Sequence, residues 1–213
     1  MKLFRKLKSN WKWLAINVTG LGVALACMLI IFLSVRQELS FDRFHSKADR
    51  ICRVTTDSNN GPTSMHPARV AGDWPKQLVA DFPAIEKMVR LVPFRRAIIK
   101  IGEQKFYNER AFSTDSSFFH VFDFKVISGN AEKAFAQPNR AFISRSLALK
   151  YFGNLNVVGK EISILHQQVP EPKVYVIDGV MEDFPVNSHF HADLLTSFTS
   201  VEDQTTIAPP DLP

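Results

Sequence analysis

Two short segments hold the residue types that could do chemistry, and the first resembles a phosphate-binding loop. It reads GNLNVVGKE from Gly153 to Glu161. A true phosphate-binding loop has four residues between its glycines and a Ser or Thr after the lysine. Here five residues separate the glycines, and Glu161 stands where the Mg²⁺-binding hydroxyl should be. The segment therefore predicts a helix that ends at Gly153 and turns into a strand, with no nucleotide or cofactor bound.

The second segment places three candidate metal ligands at alternate positions. His189, His191 and Asp193 would point to one face of a predicted strand, because strand side chains alternate. Two imidazoles at this spacing can bind a metal, but Zn²⁺ needs further ligands that the sequence does not offer. An exposed strand face is therefore favoured over a metal site.

The sequence also contains no motif for a catalytic serine or cysteine nucleophile. No serine lies in a GxSxG elbow, and no cysteine and histidine have catalytic spacing. Cys27 lies inside an apolar run and Cys52 beyond it, so both are expected to be unpaired structural thiols. We expect no catalytic, cofactor-binding or metal-binding residues, and no enzyme.

The apolar run is the longest feature of the chain. Twenty-three residues from Trp13 to Val35 carry no charge, and a helix of that length crosses a hydrocarbon core of about 30 Å. Lysine and arginine favour the cytoplasmic side. Five basic residues and no acidic one precede the run: Lys2, Arg5, Lys6, Lys8 and Lys12. We expect a span with the limits Trp13 and Val35, a cytoplasmic N-terminus, and an extracytoplasmic domain from Arg36 to Pro213.

Two other interpretations of the run are weaker. A cleaved secretory signal would have a shorter apolar region, of about 7–15 residues, followed by a small-x-small cleavage site. A core helix of a soluble protein is seldom uncharged on all sides over this length. Residues 1–12 are expected to form a basic segment, either an amphipathic helix on the inner membrane surface or a solvated tail.

The basic excess follows from this topology. The net charge is +5, yet five of the 26 basic residues lie in the first twelve positions, which leaves 21 basic against 21 acidic residues for the rest. A neutral outer domain is not a nucleic-acid-binding surface. Nucleic acid is therefore excluded as a partner.

Beyond the span, strands and helices mix without strict alternation, which predicts an α+β domain with one core or two lobes. A helix capped by Asp115 should carry Phe118, Phe119 and Phe122 on one face, as core anchors or, less favoured, as a docking surface. The other expected helices are Ala68–Asp81, a turn at Ala131–Phe135, and one that ends at Gly153 with Leu147, Leu149, Tyr151 and Phe152 as candidates for its core face. The expected strands are Ile51–Thr56, Glu86–Val92, Ala97–Ile101, Lys105–Phe112, Phe124–Ile127, Ala141–Ser144, Lys160–Leu165, Val174–Met181 and His189–Phe198, with a loop at Asp57–Pro67 and a turn at Ser128–Asn130.

Several segments, in order along the chain, resemble the MacB/FtsX-like permease family of ABC transporters. They are the basic start with its helix, RQELSFDRFHSKADRICRV, DFPAIEKMVRL, STDSSFFHVFDFKVISGN, LALKYFGNLNVVGKEISI and VIDGVMEDFPVNSHFHADLLTSF. The resemblance assigns residues 36–198 to the MacB-like periplasmic core domain, which follows the first membrane helix in that family, and leaves residues 199–213 as a disordered or truncated tail.

The resemblance implies an inner-membrane permease subunit driven by a separate cytoplasmic ATPase, whose cycle moves the membrane helices and through them the periplasmic domain. Partners implied are that ATPase, the lipid bilayer, a second permease subunit and a periplasmic protein. Export, lipoprotein release and activation of cell-wall enzymes all occur in the family. No second long apolar run follows, so we expect a fragment of a longer product or a degraded copy. The alternative is a single-pass membrane-anchored interaction or sensor module without transport.

Overall fold

The computed structural model describes residues 11–55, 74–94, 97–107, 110–166 and 169–200. The chain divides into two compact units between Arg43 and Phe44. The first unit contains a single described helix, α1 (Trp11–Glu38), of 28 residues, which is about 42 Å long at the usual helical rise. All its side chains are exposed. By length and composition it is a candidate membrane span, and no other described helix qualifies.

The second unit is built on one mixed sheet. Its nine described strands run in the order β1-β4-β9-β6-β8-β7-β2-β3, and β5 pairs with β8. The pairs β4/β9 and β6/β8 are parallel, and the remaining pairs are antiparallel. The strands are β1 (Leu91–Pro93), β2 (Ile98–Ile101), β3 (Gln104–Tyr107), β4 (Ala111–Thr114), β5 (Val126–Gly129), β6 (Arg140–Ser144), β7 (Glu161–His166), β8 (Val169–Met181) and β9 (Leu194–Ser197).

Short helices join these strands. They are α2 (Trp74–Asp81), α3 (Phe118–Val121) and α4 (Arg145–Phe152), with 3₁₀ turns at Ala48–Arg50 and Phe198–Ser200. The predicted α+β class, with an apolar N-terminal helix ahead of a mixed domain, is confirmed. The described part of the domain is organised on one sheet and does not divide into two lobes.

The sheet buries apolar side chains on both faces. Alternation sends Ala141 and Ile143 of β6 into one core layer and Phe142 into the other. The second layer is unusually rich in phenylalanine, and we call it the aromatic cluster. It contains the buried rings Phe118, Phe124, Phe135 and Phe142, and the partly buried rings Phe44, Phe112, Phe119, Phe122, Phe184 and Phe190.

Helix α4 forms where the sequence predicted it. The Ser144 hydroxyl accepts a hydrogen bond from the Leu147 amide at 3.1 Å, so Ser144 is the N-cap. Gly153 ends the helix with φ 69°, a left-handed conformation that glycine adopts without strain. Leu147 and Ala148 are buried, but Leu149, which we expected among the core residues, is 45% exposed.

Before β2, one predicted strand is absent, another is shifted and shorter, and the predicted helix Ala68–Asp81 lies partly outside the described residues. Residues 51–55 form no strand, since the described backbone there pairs with no other strand; Thr56 and the predicted loop Asp57–Pro67 lie outside the described residues. Strand β1 is Leu91–Pro93, whereas the strand was predicted at Glu86–Val92. Helix α2 is described from Trp74, with Pro75 in its first turn, where a missing amide hydrogen costs nothing.

Other boundaries shift because pairing partners decide them. The single strand predicted for Lys105–Phe112 is two strands, since β3 pairs with β2 whereas β4 pairs with β1 and β9. The turn predicted at Ser128–Asn130 is wrong, because Ser128 and Gly129 pair with β8. A Cβ at Gly129 would overlap the Asp178 carbonyl oxygen, so this close pairing needs glycine.

Candidate functional site

The residues that begin the second unit are fastened to the domain by a histidine and an aspartate. We call residues 44–50 the exit segment, because α1 leads into it. The buried Nδ1 of His45 accepts a hydrogen bond from the Asp123 amide at 3.1 Å. The Asp123 carboxylate in turn accepts one from the Ser46 amide at 2.5 Å. We call this reciprocal pair of bonds the His45–Asp123 clasp.

Aromatic contacts join the clasp to the core. The His45 ring lies 5.2 Å from Phe124 in a T-shaped arrangement and 5.4 Å from Phe122. Phe44 lies 4.1 Å from His45 and 5.7 Å from Phe124. Phe124 continues the path to Phe184, with ring centroids 3.9 Å apart. Offset and edge-to-face pairs of this kind each add about 0.5–1.5 kcal/mol beyond simple burial.

The charge of Asp123 also favours the hydrogen bonds of the clasp. Hydrogen bonds from Ser46 hold the pKa of the Asp123 carboxyl below its usual range, against the opposing effect of burial and with help from His45 and Lys47. A second tie, the exposed ion pair between Arg50 and Glu86, adds little, because water screens it. The sequence analysis did not single out His45 as a functional residue. No local signal could show its partner, which lies 78 residues away.

Asp115 has a different role from the predicted helix cap. The N-cap of α3 is Ser117, and its side chain makes no capping bond. Instead the Asp115 carboxylate accepts bonds from Arg90, including 2.5 Å from a terminal guanidinium nitrogen and 2.8 Å from the Arg90 amide. The Arg90 guanidinium also lies 3.7 Å above the Phe198 ring. The charge of Arg90 competes successfully for the carboxylate that would otherwise cap the helix.

The three phenylalanines around α3 are core residues. Phe118 is fully buried, and Phe119 and Phe122 pack against the same aromatic cluster with part of each ring exposed. Phe122 itself lies just after the helix, in extended conformation. The structure therefore supports the core interpretation over a docking surface.

The candidate metal ligands are not brought together. His189, His191 and Asp193 precede β9, which begins at Leu194, so the alternation expected of a strand does not apply. The Asp193 carboxylate accepts bonds from the Arg110 guanidinium at 2.8 and 2.9 Å. Burial raises the pKa of Asp193, but the hydrogen bonds and charge of Arg110 lower it by more. No group of three potential ligands occurs among the described residues.

Five amides of the loop from Gly153 to Glu161 are already bonded within the protein. The amide of Gly153 bonds to Leu149, that of Val157 to Leu155, that of Gly159 to Ile177, and that of Lys160 to Val157. The Asn156 amide bonds to the Asn154 side chain. The Lys160 ammonium lies 4.7 Å from the Phe152 ring. A phosphate-binding loop presents a run of free amides and a free lysine, whereas here the Gly159 and Lys160 amides are bonded and the lysine lies against a ring.

The two cysteines, Cys27 and Cys52, are unpaired and exposed. With no nucleophile or metal site assembled among the described residues, the His45–Asp123 clasp is the candidate functional feature, because it joins residues that lie 78 positions apart. Its geometry suits a mechanical connection, because hydrogen bonds and tilted or edge-to-face ring contacts hold the exit segment to the aromatic cluster.

Comparison with solved structures gives matches to this fold. A domain provisionally named as part of a permease protein from Porphyromonas gingivalis is 23% identical with a TM-score of 0.53, over 63% of this chain and 60% of that one. The periplasmic region of MacB from Actinobacillus actinomycetemcomitans is 16% identical with a TM-score of 0.41, over 55% of this chain and 50% of that one. The extracellular domain of the noncanonic ABC-type transporter YknZ from Gram-positive bacteria is 16% identical with a TM-score of 0.42, over 56% and 58%.

This chain therefore spans about 60% of the length of the Porphyromonas domain. The likeness to that domain supports the fold alone. Comparison with curated proteins gives no match. A family model, the MacB-like periplasmic core domain, matches residues 14–210, which is nearly the whole chain. The chain belongs to the MacB-like periplasmic core domain family of ABC-type permeases.

Proposed function

We propose that this chain is a permease subunit, or the N-terminal part of one, in an ABC-type export or mechanotransmission complex. A separate cytoplasmic ATPase drives that complex, and this chain hydrolyses nothing itself. Helix α1 crosses the inner membrane between Trp13 and Val35, with the N-terminus in the cytoplasm. Residues 36–198 form the periplasmic core domain, and residues 199–213 follow it as a tail. Family membership supports the class of protein.

One observation carries the mechanical part of the proposal. The exit segment is held to the aromatic cluster by the His45–Asp123 clasp and by ring contacts of 5.2–5.7 Å from His45 and Phe44 to Phe124. A displacement that reaches the exit segment would therefore pull on the sheet through packed side chains. Packed side chains and hydrogen-bond networks of this kind can carry energetic coupling between parts of a protein.

The ATPase is the first partner to test. The tagged full chain should be purified from detergent-solubilised membranes of its own host, with quantitative mass spectrometry of the proteins that come with it. We expect enrichment of a protein that carries an intact GxxxxGK phosphate-binding motif and lacks membrane helices. A chain with α1 replaced by an unrelated apolar helix is the matched control, and it should lose that partner. Recovery without any ATPase would instead support the single-pass interaction module.

The orientation is tested separately by reporter fusions. A reporter active only in the cytoplasm should be silent when fused after Phe198 and active when fused at the N-terminus, because the basic residues before Trp13 favour the cytoplasmic side. Strong activity of the fusion after Phe198 would refute the proposed topology.

A further inference from the structure

One face of the sheet at β2, β3, β7 and β8 lies outside both core layers of the described residues, and its side chains are exposed or partly exposed. On strands β2, β3, β7 and β8, the inward-facing residues join the first core layer, among them Ile99, Ile162, Ile164 and Tyr175. The residues between them point the other way, because strand side chains alternate. We call this outward surface the lysine face and define it by Ile98, Lys100, Lys105, Tyr107, Ser163 and Val174.

Strand register fixes how this face is arranged. Lys100 of β2 lies directly opposite Lys105 of β3 on one side and Ser163 of β7 on the other. Ser163 lies opposite Val174 of β8. The next row places Ile98 opposite Tyr107. The face is thus a row that contains two lysines, bordered by a row of apolar and aromatic residues.

The two lysines oppose one another at a cost in stability. Directly opposite residues on antiparallel strands have Cβ atoms about 4.5–5.5 Å apart, and like charges there destabilise a sheet. Both lysines are exposed. No described acidic side chain forms an ion pair with either, although Glu161 lies on the same face two residues before Ser163. Lysine on an edge strand protects against aggregation, which accounts for Lys105 on β3. It does not account for Lys100, since β2 is paired on both sides.

Apolar surface lies beside this charge. Tyr107 is 57% exposed and Val174 is 48% exposed, and Ile98 is partly exposed in the row that borders the lysines. Tyrosine is enriched at protein interfaces, where its ring supplies contact area and its hydroxyl a hydrogen bond. A partner that neutralised the lysines could bury these side chains at the same time.

We propose that the lysine face binds a protein segment in which carboxylates alternate with apolar side chains. Carboxylates would lie between the two ammonium groups, and apolar side chains would cover Tyr107 and Val174. An anionic membrane surface fits less well, because recognition of anionic lipid usually needs a cluster of 4–8 basic residues, whereas this face presents two. The proposal does not depend on an ATPase or on transport.

A direct binding measurement tests it. The full chain, held in phosphatidylcholine nanodiscs, is titrated into a fluorescein-labelled peptide in which glutamate alternates with leucine. A matched peptide has glutamine in place of glutamate. We expect the glutamate peptide to bind more tightly, and Lys100→Gln or Lys105→Gln to weaken its binding by about two- to fivefold each, the range of an exposed ion pair. Lys133→Gln, an exposed lysine outside this face, is the matched control and should change nothing.

Folding of the variants is checked by thermal melts. Removing one of two opposed charges should leave Tm unchanged or raise it, so weaker binding would not reflect misfolding. Equal binding of the two peptides, or unchanged binding after both substitutions, would overturn the proposal. So would lysine-dependent binding to added phosphatidylglycerol vesicles without any preference for the glutamate peptide, since the lysine face would then recognise lipid.

Discussion

Replacing His45 with alanine should release the exit segment while the sheet stays folded. The side chain is 7% exposed, and its Nδ1 is the acceptor for the Asp123 amide. Loss of that hydrogen bond costs about 1 kcal/mol, because water can reach the exposed Asp123 and replace it. Loss of ring contacts to two or three phenylalanines adds about 1–3 kcal/mol. The total of about 2–4 kcal/mol would raise the equilibrium constant for opening of the exit segment by about 30- to 800-fold.

Hydrogen exchange followed by mass spectrometry measures this opening directly. The full chain in detergent micelles at pH 7 should show faster exchange in peptides that cover residues 44–50, by about the factors given above, because local opening governs exchange of exposed segments. Peptides from β6 and β8 should not change. His120→Ala removes an exposed histidine from α3 and is the matched control. Exchange in residues 44–50 that stays within about twofold of the unmodified chain would refute the clasp as the element that holds this segment.

The carboxylate of the clasp gives the same segment a pH dependence. The pKa of Asp123 lies below its ordinary value of 3.8 in the folded chain. A depressed folded pKa stabilises the folded state above the unfolded pKa, and that stabilisation is lost as the pH falls through the folded value. Asp123→Asn keeps an acceptor for Ser46 but removes the charge. We expect it to destabilise the exit segment by less than about 1 kcal/mol at pH 7, since Asp123 is largely exposed. The difference should shrink as the pH falls through the folded pKa, which lies below 3.8. A difference that grew at low pH would contradict this sign.

Three other perturbations test the fold and the excluded chemistry. Phe118→Ala should lower the free energy of unfolding by about 3–5 kcal/mol in denaturant titrations, since the ring is fully buried, whereas a loss below about 1 kcal/mol would mean that the cluster refills the space. Gly179→Ala should destabilise the sheet severely, because its Cβ would overlap the Phe142 ring and the Ser128 carbonyl oxygen; a native melting temperature would show that β6 and β8 can separate there. Calorimetry should detect no ATP binding to the chain, and saturable binding that Lys160→Met abolished would show that the loop can release its amides.

Elements with local signals were predictable from the sequence. Helix α4 has a serine at its start and a glycine at its end, and both positions act within a few residues of the helix. Strand β6 is a short apolar run that enters this helix directly, so its limits were predicted to within one residue. In both cases the stabilising contact lies in the same stretch of sequence that suggested the element.

Elements that depend on distant partners could not be predicted from the sequence. An aspartate before an aromatic run looks like a helix cap, but Asp115 binds Arg90, which lies 25 residues earlier. The alternation of His189, His191 and Asp193 looks like a strand, but β9 starts only where its backbone reaches β4 and β6. Asp193 is bound instead by Arg110 across 83 residues. Long-range charge and pairing override local pattern at these sites, and a single sequence does not show them.

The clasp also limits where the chain can bend. Phe44, His45 and Ser46 are bound within the second unit, and α1 is a continuous helix to Glu38. A movement of α1 that leaves both the helix and the clasp intact must therefore change the backbone angles of residues 39–43. Asp42 in that stretch already has φ 55°, a left-handed conformation that aspartate tolerates better than most residues.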